Sequence, residues 1–216
     1  MLIRAAADLH GNLPSVPACD LLLLAGDIVP PAIQRDLADS LAWLIGPFDA
    51  WLTRIPAREV VAIAGNHDFA FQARPTPPLR WTYLRDSQAT VDIAGESLRI
   101  YGTPWTPAHQ QWAFEAGPAE LADIFAEIPT GLDILLSHGP PHGYGDRANV
   151  DLFRGAFTHA GSPELTDAVA RAQPALCCYG HIHEDGGYHS QLGPTRLYNV
   201  ALVDENYKLV REPVEL

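Results

Sequence analysis

Short, unbroken apolar runs recur along this 216-residue chain and limit the folds that it can adopt. Each run has the length of a β-strand, and none approaches the roughly 20 apolar residues that a membrane-spanning helix needs. Strands that are apolar at every position are covered on both faces, as in sheets that lie between other layers. We predict buried strands at residues 2–7, 21–25, 60–64, 134–136 and 176–179.

Weaker patterns predict the remaining elements. Further strands are predicted at residues 90–93, 98–101, 197–202 and 207–210. Apolar residues at helical spacing predict three helices: one from Ile33 to Leu44 that ends before Gly46-Pro47, one that begins near Pro118, and one with Ser162 as N-cap and Pro163 at its first position. The alternation of strands and helices predicts α/β layering in a single domain, residues 1–216.

The charge and cysteine content narrow the function classes. The chain has 26 acidic and 14 basic residues, a net charge of −12, which argues against a general nucleic-acid or anionic-membrane binder. A phosphate-bearing substrate remains compatible if bound cations supply the attraction. Three cysteines, two of them adjacent, are not a disulfide framework, and the N-terminus lacks a signal-peptide pattern. We therefore expect a cytoplasmic protein.

Glycine and metal-binding side chains follow each of the five buried runs. In open α/β sheets the ligand crevice lies outside the carboxyl ends of the strands, so we expect these side chains to converge. Histidine and acidic residues two positions apart in extended chain point the same way, which suits a shared site. The segments are Asp8-Leu9-His10-Gly11, Gly26-Asp27, Gly65-Asn66-His67-Asp68, Ser137-His138-Gly139 and Gly180-His181-Ile182-His183.

The number of ligands indicates two metal ions. Two aspartates, an asparagine and four histidines are too many for one tetrahedral zinc and suit two cations that share a bridging carboxylate. Such a pair is suited to phosphoryl transfer, because it neutralises the phosphate and generates the nucleophile. The sequence contains no G-x-x-x-x-G-K-[ST] phosphate loop that would provide another way to bind phosphate.

These motifs, in this order over residues 8–183, resemble the calcineurin-like metallophosphoesterase superfamily. A narrower resemblance to its metallophosphoesterase domain-containing protein branch is carried by Gly102-Thr103-Pro104-Trp105, Gln111-Trp112-Ala113-Phe114 and Ser137-His138-Gly139-Pro140-Pro141. The resemblance implies a four-layer αββα sandwich, in which two mixed β-sheets are flanked by helices.

The resemblance also implies roles for the individual residues. Asp27 would bridge two cations, the first held by Asp8, His10 and His183, and the second by Asn66, His138 and His181. His67 would protonate the leaving oxygen as general acid, which suits a side chain that titrates near neutrality. The mixed nitrogen and oxygen ligands leave the metal open among Mn, Fe, Zn, Co and Mg.

The second motif departs from the pattern of the protein-phosphatase members. There, Gly-Asp continues with an aspartate and an arginine, whereas here Ile28-Val29-Pro30 follows Asp27. The partner that orients the acidic histidine in those enzymes is therefore missing at that position, and Asp68 is a candidate to replace it. The departure argues against a protein phosphatase.

We therefore predict a phosphodiesterase that acts on a small or cyclic nucleotide-like phosphodiester by attack of a hydroxide bridging the two cations. Its catalytic residues would be Asp27, Asn66 and His67. Candidate substrate contacts are Trp105, His142 and Arg147, although a packing role is slightly favoured for Trp105. The alternative is a nucleotide-binding or protein-binding scaffold with a weakly active metal site.

Overall fold

A computed structural model describes residues 1–73, 76–93, 95–151 and 156–216. The strands in these ranges are β1 (Ile3–Ala6), β2 (Cys19–Ala25), β3 (Ala57–Ile63), β4 (Thr82–Tyr83), β5 (Ser87–Ile93), β6 (Glu96–Thr103), β7 (Thr106–Pro107), β8 (Glu115–Ala116), β9 (Ile134–Ser137), β10 (Arg147–Asp151), β11 (Ala156–His159), β12 (Leu176–Tyr179), β13 (His189–Leu192), β14 (Thr195–Asn199) and β15 (Val214–Glu215). The α-helices are α1 (Leu37–Trp43), α2 (Asp49–Arg54), α3 (Phe69–Ala73), α4 (Pro118–Ala126) and α5 (Pro163–Ala172). Among the described residues, no helix has both the length and the apolar character needed to cross a membrane.

Two mixed sheets contain most of the strands. The first sheet has the order β15-β1-β2-β3-β4, with only β15 antiparallel to its neighbour. The second has the order β13-β14-β12-β9-β6-β5, with antiparallel pairs at its two edges and parallel pairs inside. All five predicted buried strands are present, and each lies inside one of the two sheets.

Alternating side chains of each sheet divide the apolar interior into layers. In β2, Leu21 and Leu23 face the other sheet, whereas Leu22 and Leu24 face the helices on the outside. Helix α2 and the turn before it cover the first sheet, and α4 and α5 cover the second. The expected four-layer αββα sandwich with two mixed sheets is therefore confirmed.

The first helix differs from the prediction at both ends. Helix α1 begins at Leu37, not Ile33, because the Asp36 side chain caps it by accepting from two backbone N–H groups. The chain also stays helical past Gly46-Pro47 through a π-helical turn, Leu44–Phe48, that leads into α2. Proline cannot donate a backbone hydrogen bond and crowds the preceding turn, and the wider π-turn accommodates it.

The predicted strand at residues 207–210 is wrong. The Asp204 carboxylate accepts from the backbone N–H groups of Asn206 and Lys208, which folds this segment into a turn with Tyr207 at φ 60°. The last strand is instead the short β15, which pairs antiparallel with β1. Strand β14 also ends at Asn199, three residues earlier than predicted.

Candidate metal centre

The site lies where the carboxyl ends of β1, β2, β3, β9 and β12 meet. Strand β1 continues to a bridge between Ala7 and Ala201, which joins the first sheet to the chain that leaves the second. Asp8, His10 and Asp27 adopt positive φ angles of 57°, 43° and 54° at the strand exits. Residues other than glycine rarely adopt positive φ angles, and a cluster of such residues is typical of a functional site.

One group of ligands brings together Asp8, His10 and His183. The Nε2 atoms of the two histidines lie 3.3 Å apart, and His183 Nε2 is 3.4 Å from Asp8 Oδ1. His183 Nδ1 lies 3.1 Å from the backbone oxygen of Asp204, which fixes the ring so that Nε2 faces the other ligands. One ligand atom from each of the three residues lies within 4.8 Å of the others.

A second group brings together Asn66, His138 and His181. Asn66 Oδ1 is 2.8 Å from His138 Nε2 and 2.9 Å from His181 Nδ1. The other ring nitrogen of His138 lies 2.9 Å from the backbone oxygen of Ala25, which orients the imidazole. Three chain segments that are far apart in sequence therefore converge here.

Asp27 lies between the two groups. Its Oδ2 is 3.4 Å from His10 Nε2, and its Oδ1 is 3.4 Å from His138 Nε2. The Asp27 side chain is 1% exposed, and Oδ1 also accepts the backbone N–H of His67 at 2.8 Å. One carboxylate thus presents an oxygen to each group.

Two glycines leave the space that these carboxylates occupy. A Cβ atom on Gly65 would overlap Asp27 Oδ1, and one on Gly180 would overlap Asp8 Oδ2. Both positions therefore require glycine because of close approach, which the sequence pattern of glycine beside each polar group anticipates.

Burial and mutual electrostatic interactions shift the pKa values of the buried groups. Burial lowers the pKa of His10 to about 4, and burial together with His138 lowers the pKa of His181 to about 3. Although burial opposes it, His138 and His67 hold the pKa of Asp27 well below its ordinary value. His138 itself is raised to a pKa of about 9, because the attraction of Asp27 outweighs burial.

The donor set fits two divalent cations. Seven nitrogen and oxygen donors converge, and Asp27 faces both groups at 3.4 Å, which is long for a direct hydrogen bond. Deprotonated carboxylates and neutral imidazoles are the forms that bind metal. Asp27 completes both groups of ligands and would therefore be the ligand that two neighbouring cations share.

His67 stands beside the two groups and has a partner that the sequence did not indicate. Its Nδ1 is hydrogen-bonded with Gln34 Oε1, and its Nε2 lies 3.9 Å from Asp27 Oδ2. The ring stacks on the indole of Trp112, with centroids 4.4 Å apart and planes 27° apart. Gln34 lies in an irregular turn without a motif, so no signal in the sequence pointed to it.

Asp68 has a different role from the one considered for it. Its carboxylate accepts backbone N–H groups from Ile28, Val29 and Gly65 at 2.8–3.1 Å and thereby joins two strand-exit loops. Burial and the nearby Asp27 raise the pKa of Asp68 to about 7. It does not replace the missing partner of His67.

A cavity of about 610 Å³ opens over Asn66, His67 and His181. Trp112 and Tyr207 form aromatic parts of its wall, and the Tyr207 ring lies 4.5 Å from the His10 ring. Other parts of the wall come from residues 107–110 and 158–161. The cavity therefore connects the candidate metal centre to solvent through partly aromatic walls.

The three candidate substrate contacts lie elsewhere. The indole N–H of Trp105 donates to Asp86 at 2.8 Å, and its ring packs edge-on against Phe114. Arg147 forms an ion pair with Asp185 at 2.9 Å. The exposed ring of His142 lies 5.3 Å from that of His159, which does line the cavity. Trp105, His142 and Arg147 are not among the described residues of the cavity wall.

Several known proteins are similar to this chain in sequence. The chain is 29% identical to human metallophosphoesterase domain-containing protein 1, over 96% of this chain and 68% of that protein. It is 30% identical to a probable rhamnogalacturonate lyase C of Emericella nidulans, over 88% of this chain but only 18% of that protein. The chain thus spans less than a fifth of one relative and about two thirds of the other.

Solved structures of low sequence identity show the same fold. A phosphopantetheinyl hydrolase from Mycobacterium tuberculosis superposes with a TM-score of 0.56 at 16% identity, over 95% of this chain and 90% of that one. The protein TT1561 of Thermus thermophilus superposes with a TM-score of 0.54 at 15% identity, over 94% and 89%. The sequence model of calcineurin-like phosphoesterases matches residues 1–185, which is most of the chain, and the chain therefore belongs to that family.

Proposed function

We propose that this protein is a dinuclear metal-dependent phosphodiesterase that hydrolyses a small, nucleotide-like phosphodiester. The observation that carries the proposal is the position of Asp27, which presents one carboxylate oxygen to each of two groups of ligands. When bound, two divalent cations would neutralise the phosphate and supply the nucleophile.

The chain's own residues would hold and orient these cations. Asp8, His10 and His183 would hold one, Asn66, His138 and His181 the other, and Asp27 both. The backbone oxygens of Ala25 and Asp204 fix two of the imidazoles from behind. Such contacts select the tautomer and ring orientation and raise the basicity of the ligand.

His67 would assist departure of the leaving group. Its Nε2 faces the metal centre near Asp27, and the ring borders the cavity. A proton held on Nε2 is therefore placed where an oxygen leaving the phosphorus would need it, and general-acid catalysis of this kind contributes about 10²- to 10⁴-fold to the rate.

The cavity supports a small substrate with an aromatic group. Its volume of about 610 Å³ lies in the range of small-molecule sites. Trp112 and Tyr207 contribute aromatic surface to its wall, against which a nucleobase could pack. The net charge of −12 disfavours a nucleic-acid polymer, whose many phosphates need an extended basic surface.

We also propose manganese as the first metal to test and a reducing, cytoplasmic setting. The three cysteines, Cys19, Cys177 and Cys178, are buried free thiols, which supports that setting.

The test combines metal analysis with turnover. Purified protein loaded with Mn²⁺ should contain about two ions per chain and hydrolyse an aryl phosphodiester or a cyclic nucleotide. His67→Ala should keep the metal and lose about 10²- to 10⁴-fold in kcat on the cyclic nucleotide, whose leaving alkoxide needs a proton, whereas Asp27→Asn should lose metal and activity on both substrates. The exposed Asp123→Asn should behave like the parent.

Two outcomes would contradict the proposal. A chain that binds no stoichiometric metal under any loading condition has no dinuclear centre. A chain that binds metal and nucleoside monophosphates tightly, yet shows background hydrolysis with every metal and diester, is the nucleotide-binding scaffold instead.

A further inference from the structure

We propose that Gln34 is a positioning residue for His67 and takes the place of the carboxylate that the second motif lacks. The inference rests on the proposed function, in which His67 is the general acid. The carrying observation is the hydrogen bond between Gln34 Oε1 and His67 Nδ1.

The amide oxygen selects one tautomer of the imidazole. A carbonyl oxygen can only accept a hydrogen bond, so His67 Nδ1 must carry a proton. The second nitrogen, Nε2, then faces Asp27 and the metal centre, where it lies 3.9 Å from Asp27 Oδ2. Gln34 thereby assigns Nε2 to the proton that is transferred and Nδ1 to the proton that is retained.

Two ring contacts complete the positioning of His67. Its face lies on the indole of Trp112, and it forms a T-shaped pair with the His10 ring, at 89° with centroids 4.8 Å apart. Stacking restrains the plane of the imidazole but is compatible with a 180° flip about the Cβ–Cγ bond, which exchanges Nδ1 with Cδ2 and displaces Nε2. The bond from Nδ1 to Gln34 Oε1 selects one of these two orientations and so aims Nε2.

The turn that carries Gln34 is itself anchored. The guanidinium of Arg35 lies 4.7 Å from the Trp112 ring and 4.5 Å from the Phe69 ring, so the residue next to Gln34 packs on the stacking partner of His67. Backbone hydrogen bonds from Ile33 to Pro30 and from Asp36 to Ile33 close the turn. Gln34 is therefore presented by a fixed segment.

A neutral partner suits both states of the acid. When the bond between phosphorus and the leaving oxygen breaks, its electron pair stays on that oxygen, which takes the proton of His67 Nε2. Phosphorus gains the hydroxyl of one water, and the other proton of that water passes to solvent, from which His67 is later reprotonated. The ring changes from imidazolium to neutral imidazole. Its Nδ1 proton stays in the bond to Gln34 throughout, so the ring keeps its orientation.

The test uses the dependence on the leaving group. An aryl diester releases 4-nitrophenolate, which leaves without a proton, whereas a cyclic nucleotide releases an alkoxide that needs one. Gln34→Met removes the acceptor at similar size. We expect kcat to fall about 10- to 100-fold on the cyclic nucleotide but less than about threefold on the aryl diester, with KM and metal content close to the parent.

Two further variants separate positioning from packing. Gln34→Glu restores an acceptor and should bring kcat on the cyclic nucleotide back to within about threefold of the parent. Gln191→Met, an exposed glutamine on β13, should leave both substrates unaffected. Equal losses on both substrates, or no loss on either, would overturn the role of Gln34.

A spectroscopic measurement keeps the inference separate from the proposed function. The ¹⁵N shifts of the His67 ring should report a protonated Nδ1 in the metal-loaded parent and in Gln34→Glu, and a changed tautomer population in Gln34→Met. If the parent hydrolyses neither substrate, the proposed function fails, while unchanged ring shifts in Gln34→Met would reject the positioning itself.

Discussion

Single residues of the strand-exit loops combine structural and chemical roles. Asp68 follows His67 directly, yet it contacts backbone N–H groups and not the imidazole. It fastens the loop after β2 to the loop after β3, and these loops present Asp27 and Asn66. Its contribution is therefore to the stability of the frame around the site.

Replacement of Asp68 by asparagine should destabilise the fold. Both carboxylate oxygens accept backbone N–H groups, so the amide nitrogen of Asp68→Asn must face a donor. A buried donor left unpaired costs about 1–3 kcal/mol. We expect the free energy of unfolding, measured with urea, to fall by that amount, while the exposed Asp123→Asn stays within about 0.5 kcal/mol of the parent. An unchanged urea midpoint would contradict this account.

At the residue level, the sequence predicted which residues lie at the site better than it predicted their hydrogen-bond partners. Asp8, His10 and His183 converge as their position after strands suggested, because the carboxyl ends of β1 in the first sheet and β12 in the second meet. The partner of His67 was beyond such reasoning: Asp68 is adjacent in sequence, but its backbone directs it to the strand-exit loops. Gln34 reaches His67 through a turn whose shape no periodicity encodes.

At the scale of elements, the short turns after the strands control the distances between ligands. Gly180 follows β12 and lies against Asp8, which follows β1, so the two sheets approach each other closely at this point. His181 donates its backbone N–H to both oxygens of Asp8, at 3.2 and 3.0 Å. The spacing of the turns is therefore part of the site.

Gly180→Ala should impair metal binding more than folding. The added Cβ atom would overlap the Asp8 carboxylate and Ala7, which must move away. We expect loss of at least one ion per chain by metal analysis, because Asp8 no longer reaches its position. Gly46→Ala is the matched control, since no atom lies within 4 Å of its added Cβ atom. Full metal content in Gly180→Ala would show that the turn tolerates a side chain.

The sequence predicts element boundaries that depend on neighbouring residues, but not those that depend on tertiary contacts. The Ser162 N-cap with Pro163 marks the start of α5 correctly, because the Ser162 hydroxyl accepts the N–H of Leu165. Gly46-Pro47 predicts a helix stop, but Phe48 and Trp51 pack into the core and the chain stays helical. Residues 207–210 have strand-like composition, yet the Asp204 side chain bends them.

At the scale of the whole molecule, the two large sheets of the described structure bring their polar ends to one site. Asp8, Asp27 and Asn66 come from the first sheet, and His138 and His181 from the second. Cations bound between them, as proposed, would link the sheets, and a ligand that binds only the folded state stabilises it by mass action. Stability should therefore depend on metal.

Thermal unfolding should report this linkage. At a free Mn²⁺ concentration of 100 times Kd the stabilisation is about 2.7 kcal/mol, which raises the Tm of a chain of this length by about 5 to 10 °C. A chelator should reverse the shift, and Asp27→Asn should lose most of it. An equal rise in Asp27→Asn would mean that the ion acts elsewhere on the acidic surface.

The apolar pattern does not predict the order of the strands in the sheets. The five runs predict buried strands, but pairing joins distant parts of the chain, as when β1 pairs with β15. The arrangement in four layers followed only from the resemblance of the motifs. That the whole of residues 1–216 folds as one domain stays a prediction.

The segment that follows residue 185 contributes to the candidate site, which matters for any truncation of the chain. The family match ends at that residue, yet the carbonyl behind His183 belongs to Asp204 and the ring over His10 belongs to Tyr207. Strand β14, which adjoins β12, also lies beyond it. A fragment that ends at residue 185 would therefore lack the carbonyl that orients the His183 imidazole and one aromatic part of the cavity wall.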